Sequence, residues 1–376
     1  YEPNGWGLVL PDNSSNLTIV DNVSLQPSAE SLTSGFIDYY DPGNSWTGQT
    51  SPSTDSLMGV GYGNDTFVAV GVSGTMHTSS DGTTWTEQTS GTTKDLQYVT
   101  YANDTFVTTG NSGAILTSPD GVTWTSRTIT NPPSAHLVGV TYGNSTFVAV
   151  GYSGTILTSS DGTAWTLKLS HTYPLLNAVT YGSGTFVTVG QSGTILTSSD
   201  GTTWTASSGA GHLYGVTYGN GTFVAVGHSG TILTSTDGTT WTSRDSGLPA
   251  GNHLDGVTYG NGTFVTTGNS GTILTSTDGT TWNNRTSRTS QNLSAVTYAN
   301  STFVAVGLVG TIVTSSDGVM DNNSHVIGIE TNQASLSING SVTLKDNATI
   351  STDSGNVSLG NLDLENGNID VNGGTL

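Results

Sequence analysis

The chain has 376 residues, only 9% of them charged, and 27 Asp+Glu against 7 Lys+Arg give a formal charge of −20. That acidity repels phosphate backbones, so no nucleic-acid partner is expected. No run reaches the ~18 apolar residues of a membrane helix, so no membrane span is expected, and a cysteine count of 0 excludes disulfides, thiolate chemistry and cysteine-ligated zinc.

Residues 1–44 read as an N-terminal β-arm. In "NLTIVDNVSLQ" the pairs Leu17/Ile19 and Val23/Leu25 alternate with period 2, as half-buried strands do. A first residue of Tyr rather than Met fits a processed or assembled product. An extracellular, cell-surface or virion-surface location is expected on that ground.

From residue 45 to 318 one unit recurs. Asp81, Asp120, Asp161, Asp200, Asp237, Asp278 and Asp317 follow one another at 39, 41, 39, 37, 41 and 39 residues. The copy "LYGVTYGNGTFVAVGHSGTILTSTDGTTWTSR" holds four short alternating stretches separated by Gly and Asn turns. Units of ~40 residues with four strands stack as propeller blades. The expected fold is therefore all-β: a seven-bladed β-propeller flanked by N- and C-terminal β-arms. Each Asp is expected to pin the turn between the third and fourth strands by accepting backbone N–H bonds.

Six of these aspartates are followed four residues later by Trp, but Asp317 is not. Trp46, conversely, has no Asp turn before it. The strand around Trp46 is thus predicted to close the ring as the outer strand of the last blade, removing the open edges.

The phrase "SSDGTTW" resembles the Asp-box of sialidase-type (BNR) propellers, and the repeat is similar to photosystem II assembly-factor-like propellers. It departs from S-x-D-x-G-x-T-W by lacking the residue between Asp and Gly. The resemblance implies fold more than function, since such rings serve glycosidases, lectins and scaffolds alike. A sialidase would need an arginine triad and a tyrosine/glutamate pair near the axis. Arg127, Arg244, Arg285 and Arg288 instead follow the outer-strand tryptophans, and Glu87 is the single propeller glutamate. No enzymatic activity is expected.

The tyrosines and phenylalanines that recur once per blade read as packing. The histidines show no common register and no metal-ligand spacing. No cofactor is expected; the scattered Asp and Asn could hold calcium, but no EF-hand-like loop supports it. Variation between copies concentrates in the turn after the second strand and in the blade-to-blade crossovers. His136, Tyr152, His171, Tyr173, His212, Tyr214, His228 and His253 form there a candidate binding face for a glycan or surface receptor.

Fifteen N-x-S/T sequons occur. Asn64, Asn103, Asn144, Asn220, Asn261 and Asn300 sit at equivalent hairpins, where turn chemistry alone selects Asn. Asn284, Asn292 and Asn322 are isolated, and Asn13, Asn16, Asn22, Asn339, Asn347 and Asn356 lie in the arms. All are candidate N-glycosylation sites.

Residues 319–376 form the C-terminal β-rich arm or stalk. Val342/Leu344, Val357/Leu359, Leu362/Leu364 and Ile369/Val371 alternate between closely spaced Gly-Asn turns. The phrasing "GNLDLENGNIDVNGGTL" resembles the β-stalks of phage tail fibres and surface appendages. The arms are expected to pair with each other or with neighbouring subunits. The resulting expectation is a non-catalytic structural or adhesive subunit of a surface filament, sheath or virion fibre. The alternative is a tethered glycan-binding or glycoside-hydrolase-type propeller.

Overall fold

The structure, a computed structural model, describes residues 5–10, 23–26, 46–129, 136–169, 174–316, 325–330, 335–345, 349–352, 357–365 and 368–371. The chain divides into two compact units, Pro42–Asp317 and the paired segments Tyr1–Asp41 and Gly318–Leu376.

Seven four-stranded antiparallel sheets make up the first unit. Blade 5 is representative, with strands Leu213–Gly219, Thr222–Gly227, Ile232–Ser235 and Thr242–Arg244 from the axis outward. The second strand of each blade, "TFVAVG" or a near copy, is apolar without alternation because both of its faces are covered. In blade 1, Phe67 and Ala69 pack toward blade 7, whereas Val68 and Val70 pack toward blade 2. The core is therefore a series of layers between blades. All seven repeat phenylalanines are fully buried, each 4.6 Å from the tyrosine of its own first strand. That tyrosine fits a seat on the preceding blade: a Cβ on Gly63 would lie 2.0 Å from the Tyr101 ring.

The ring closes as predicted. Thr47–Gln49 pairs with Ile312–Ser316, setting Thr47 opposite Thr314 and Gln49 opposite Ile312. Trp46 is fully buried and lies 6.4 Å from Phe303, the same separation as Trp85 from Phe67. Gln49 also donates to Thr314 Oγ1 at 2.7 Å, as Arg127 does to Thr117 and Arg244 to Thr234. The first strands of blades 7 and 1, Leu293–Ala299 and Leu57–Gly63, pack side by side and complete the circle.

In the second unit the two arms are interwoven. Gly5–Leu10 runs antiparallel between His325–Glu330 and Thr349–Thr352, and Val23–Gln26 runs antiparallel to Ser335–Lys345. Beyond them the pairing turns parallel: Ser335–Lys345 with Val357–Glu365, and Thr349–Thr352 with Asn368–Val371. Each residue then faces the one about twenty positions on, so aliphatics meet aliphatics: Leu336 opposite Val357, Val342 opposite Leu362, Ile350 opposite Ile369. The arm alternates between two sheets, laying one strand in each per turn of chain; Val23–Gln26 is the edge strand of one sheet, and Gly5–Leu10 is inserted between the first two C-terminal strands of the other.

Candidate binding site at the channel mouth

The two ends of each blade are built differently. At one end stands the Asp turn. In blade 1 the Asp81 carboxylate accepts the N–H groups of Thr83 and Thr84, both at 2.8 Å, and the Ser79 hydroxyl at 2.9 Å. The Trp85 indole closes the motif by donating to the Gly82 carbonyl. Asp120, Asp161, Asp200, Asp237 and Asp278 repeat the arrangement, and Asp317 lies outside the described residues. Partial burial works against ionisation of Asp81, but the Thr84 and Thr83 N–H groups outweigh it and hold the carboxyl at about 2. At Asp120 the Thr123 N–H leads and gives the same value. Asp161 and Asp278, led by the hydroxyls of Thr163 and Thr280, fall well below the usual carboxylate range.

The hairpin asparagines share this end. Asn64, Asn103, Asn144, Asn220, Asn261 and Asn300 all stand at φ between 42° and 49°, the left-handed conformation that a two-residue hairpin requires and Asn tolerates. Asn64 and Asn144 donate through Nδ2 to the Pro119 and Ser199 carbonyls in the Asp turn of the following blade. Asn284 is exposed on an outer strand. Asn339 falls in Ser335–Lys345, while Asn13, Asn16, Asn22, Asn322, Asn347 and Asn356 lie outside the described residues.

At the other end, seven short turns follow the second strands. The central residue of each has positive φ, from 52° to 57°, Val309 of blade 7 included. At five blade junctions its N–H is bound by the side chain that opens the next blade. Ser73 donates to Asp95 Oδ1 (2.8 Å), Ser192 to His212 Nδ1 (3.0 Å), Ser229 to His253 Nδ1 (3.1 Å), Ser270 to Asn292 Oδ1 (2.9 Å) and Val309 to Ser56 Oγ (3.4 Å). This corrects the expectation that the histidines lack a register. His136, His212 and His253 occupy one repeat position, just before the first-strand leucine, in "HLVGV", "HLYGV" and "HLDGV". Two of them staple blades together, and accepting through Nδ1 leaves their Nε2–H groups as donors for a ligand.

Of the candidate residues on this face, Tyr214, His212, His228 and His253 come together. His228 lies 4.4 Å from His253 and 6.0 Å from His212, and Tyr214 meets His253 edge-on at 6.1 Å, all ring centroid to centroid. His136 and Tyr152 form a separate pair at 4.9 Å, with Tyr152 45% exposed. His171 and Tyr173 lie outside the described residues. Among the described residues no His, Asp or Glu group of three or more is arranged to hold a metal ion.

Sequence reasoning missed the channel itself. Every first strand carries a bulge, so that one residue is skipped in the pairing: Met58, Gln97, Val138, Asn177, Tyr214, Asp255 and Ser294. Bulges re-aim side chains, and all seven line a cavity of ≈ 390 Å³ on the axis. Leu308 and Asn292 of the varied turns also line it, so the cavity reaches that face. The residue after each bulge is Gly or Ala in six blades, which lets first strands approach closely: a Cβ on Gly59 would lie 2.8 Å from the Gln97 carbonyl oxygen. Blade 2 alone has Tyr98 there, lining the cavity and 38% exposed. Burial raises Asp255 to about 6, and burial followed by the neighbouring Asp255 charge raises the Tyr214 phenol.

No protein-family model and no curated protein matches the sequence. Among solved structures, YCF48 from Cyanidioschyzon merolae is similar over 72% of this chain and 98% of its own, at 16% identity and a TM-score of 0.60. YCF48 bound to D1 peptide is similar over 77% of this chain and 99% of its own, at 16% identity and a TM-score of 0.62. Virginiamycin B lyase from Staphylococcus aureus is similar over 72% and 99%, at 14% identity and a TM-score of 0.65. At these identities the likenesses show the fold alone. That fold is a seven-bladed β-propeller.

Proposed function

We propose that this chain is a non-catalytic structural and adhesive protein of a cell or virion surface. It serves as a repeating subunit of a filament, sheath or fibre, with the propeller as its displayed head. The observation that carries this reading is the weave of the arms. Strands from both ends of the chain share two sheets, and the later strands stack in parallel with aliphatic on aliphatic. Such a stack extends by adding further strands at its edge, which is what a stalk or a subunit contact needs.

The varied face of the ring supplies the adhesive function, through a receptor or a glycan. One solved propeller of this fold holds a peptide, which supports protein recognition by such a ring. The exposed Tyr152 beside His136 favours the lectin-like alternative, since sugars stack on aromatic rings. Against hydrolysis, the described residues lining the channel include one carboxyl, Asp255, where glycosidases use a pair. Negative-stain microscopy of native material tests the reading. Ordered multimers joined through the arms are expected, and a dispersed monomer that hydrolyses a glycan would overturn it.

A further inference from the structure

We infer that the axial cavity is a binding site for one organic monocation, an alkylammonium or guanidinium group, held by Asp255 beside Tyr214, with Tyr98 lining the same cavity. This is independent of the stalk reading, because it concerns the ring alone.

Three observations carry it. First, Asp255 stands in the cavity, where among the described residues it has no hydrogen-bond or ion-pair partner and none of the lining residues is Lys, Arg or His. A half-buried carboxylate without a counter-charge is costly unless something supplies one. Second, the remaining polar lining consists of neutral acceptors and donors, Gln97, Asn177, Asn292 and Ser294. One carboxylate with neutral neighbours suits a single positive charge, whereas calcium takes six to eight oxygens, several of them charged. Third, two tyrosines line the same cavity as the acid. Tyr214 comes from the adjacent blade, close enough for the Asp255 charge to raise its phenol, and Tyr98 comes from blade 2, across the ring. Aromatic faces attract ammonium and guanidinium ions, most strongly where water is sparse. The chain's −20 charge adds a general attraction for cations. The cavity size is at the lower end of small-molecule sites and suits an amine or one inserted Lys or Arg side chain.

The titratable groups facing the site are Asp255, Tyr214 and Tyr98, with His253 beside Tyr214. Of these, Asp255 at about 6 sets the pH dependence. A cation binds the ionised form, so affinity is full above pH 6 and falls roughly tenfold per unit below it.

The test is calorimetric titration of the full chain at pH 7.5 with n-butylammonium, n-butylguanidinium and the neutral isostere n-butanol. A peptide with one internal lysine, and its acetylated form, follow. Binding of a cation without the alcohol is expected, with at least a tenfold loss in Asp255→Asn. Blades 4 and 7 carry Asn177 and Ser294 at this position, so the variant keeps a residue the fold accepts, and unchanged thermal unfolding verifies that. Tyr98→Ala, which restores the small residue of the other blades, should weaken binding severalfold. Peptide binding that acetylation abolishes marks the source as a partner's side chain, and binding of the free amines alone marks a small molecule. Absence of binding by every cation up to 10 mM (roughly the weakest useful affinity), equal binding of butanol, or full retention in Asp255→Asn would each overturn the assignment.

Discussion

The two ends of a blade solve the same problem, a tight reversal of the chain, in opposite ways. At the Asp turn the side chain itself is the device: the carboxylate is consumed by two N–H groups and a serine hydroxyl. At the channel end the backbone does the work. In blade 5 the His228 N–H donates to the His212 carbonyl, and glycine at 227 is required because a Cβ there would lie 2.0 Å from that same oxygen. Where the side chain is the device it cannot change. Where the backbone is the device, the side chains are released, and they vary from blade to blade. A repeat protein can thus carry one specific site on a regular scaffold without disturbing it.

The largest test of this contrast is at the seam. Trp46→Ala should cost ~3–5 kcal/mol, in the range for fully buried aromatics, and removal of residues 1–50 should cost more. Thermal unfolding of either variant unchanged from the parent would refute closure by that strand. Next, Asp81→Ala should cost ~1–2 kcal/mol in chemical denaturation, as loss of a capping acceptor does. The sign with pH is fixed by the depressed carboxyls. Their contribution is complete above the unfolded value of about 3.9 and is lost as pH falls through the folded value of about 2. Acid unfolding of the ring should therefore fall between about pH 4 and 2, with Asp81→Ala showing a shallower acid transition.

His77 probes the third strand. It is fully buried where five other blades have leucine and blade 7 has Val313, meets Ser53 Oγ at 3.3 Å through Nε2, and makes no sound hydrogen bond through Nδ1 although the Met76 carbonyl lies near. Burial lowers its pKa despite the Met76 carbonyl and the acidic Glu87 and Asp55. The unfolded chain therefore takes up the proton first, and stability is lost as pH falls below about 6.5. His77→Leu should add ~1 kcal/mol, the scale of one unsatisfied buried polar atom, and flatten the profile between pH 7 and 5. The smallest effect is expected at the bulges. Gln97→Ser or Ser294→Asn, each borrowing another blade's residue, should stay within ~0.5 kcal/mol. A cost equal to that of Asp81→Ala would erase the distinction between the two ends.

The parts written as invariant side chains were legible: the Asp turns, the Tyr–Phe pairs, and Trp46 as the displaced seventh tryptophan. The channel was not, for a physical reason. In "LYGVTY" strict alternation assigns Tyr214 and Val216 to one face, but the bulge after Leu213 breaks the parity. Leu57 and Val60, three residues apart, both pack into the one core layer between blades 1 and 7, a shared face that a flat strand does not give at that spacing. That spacing and the single changing letter after each leucine were the available signals. The arm pairing was legible as alternation, but its parallel register depends on contacts some twenty residues apart, which no local pattern specifies.

The seam also has a mechanical meaning. The strand entering the ring and the strand leaving it are antiparallel neighbours, held by three residue pairs from Thr47 to Gln49. A pull on one terminus alone would peel them apart pair by pair, the weakest direction in which to strain a sheet. The same two termini are tied a second time, where Gly5–Leu10 and Val23–Gln26 pair with the C-terminal strands. Tension applied to the joined arms reaches both sides of the seam together.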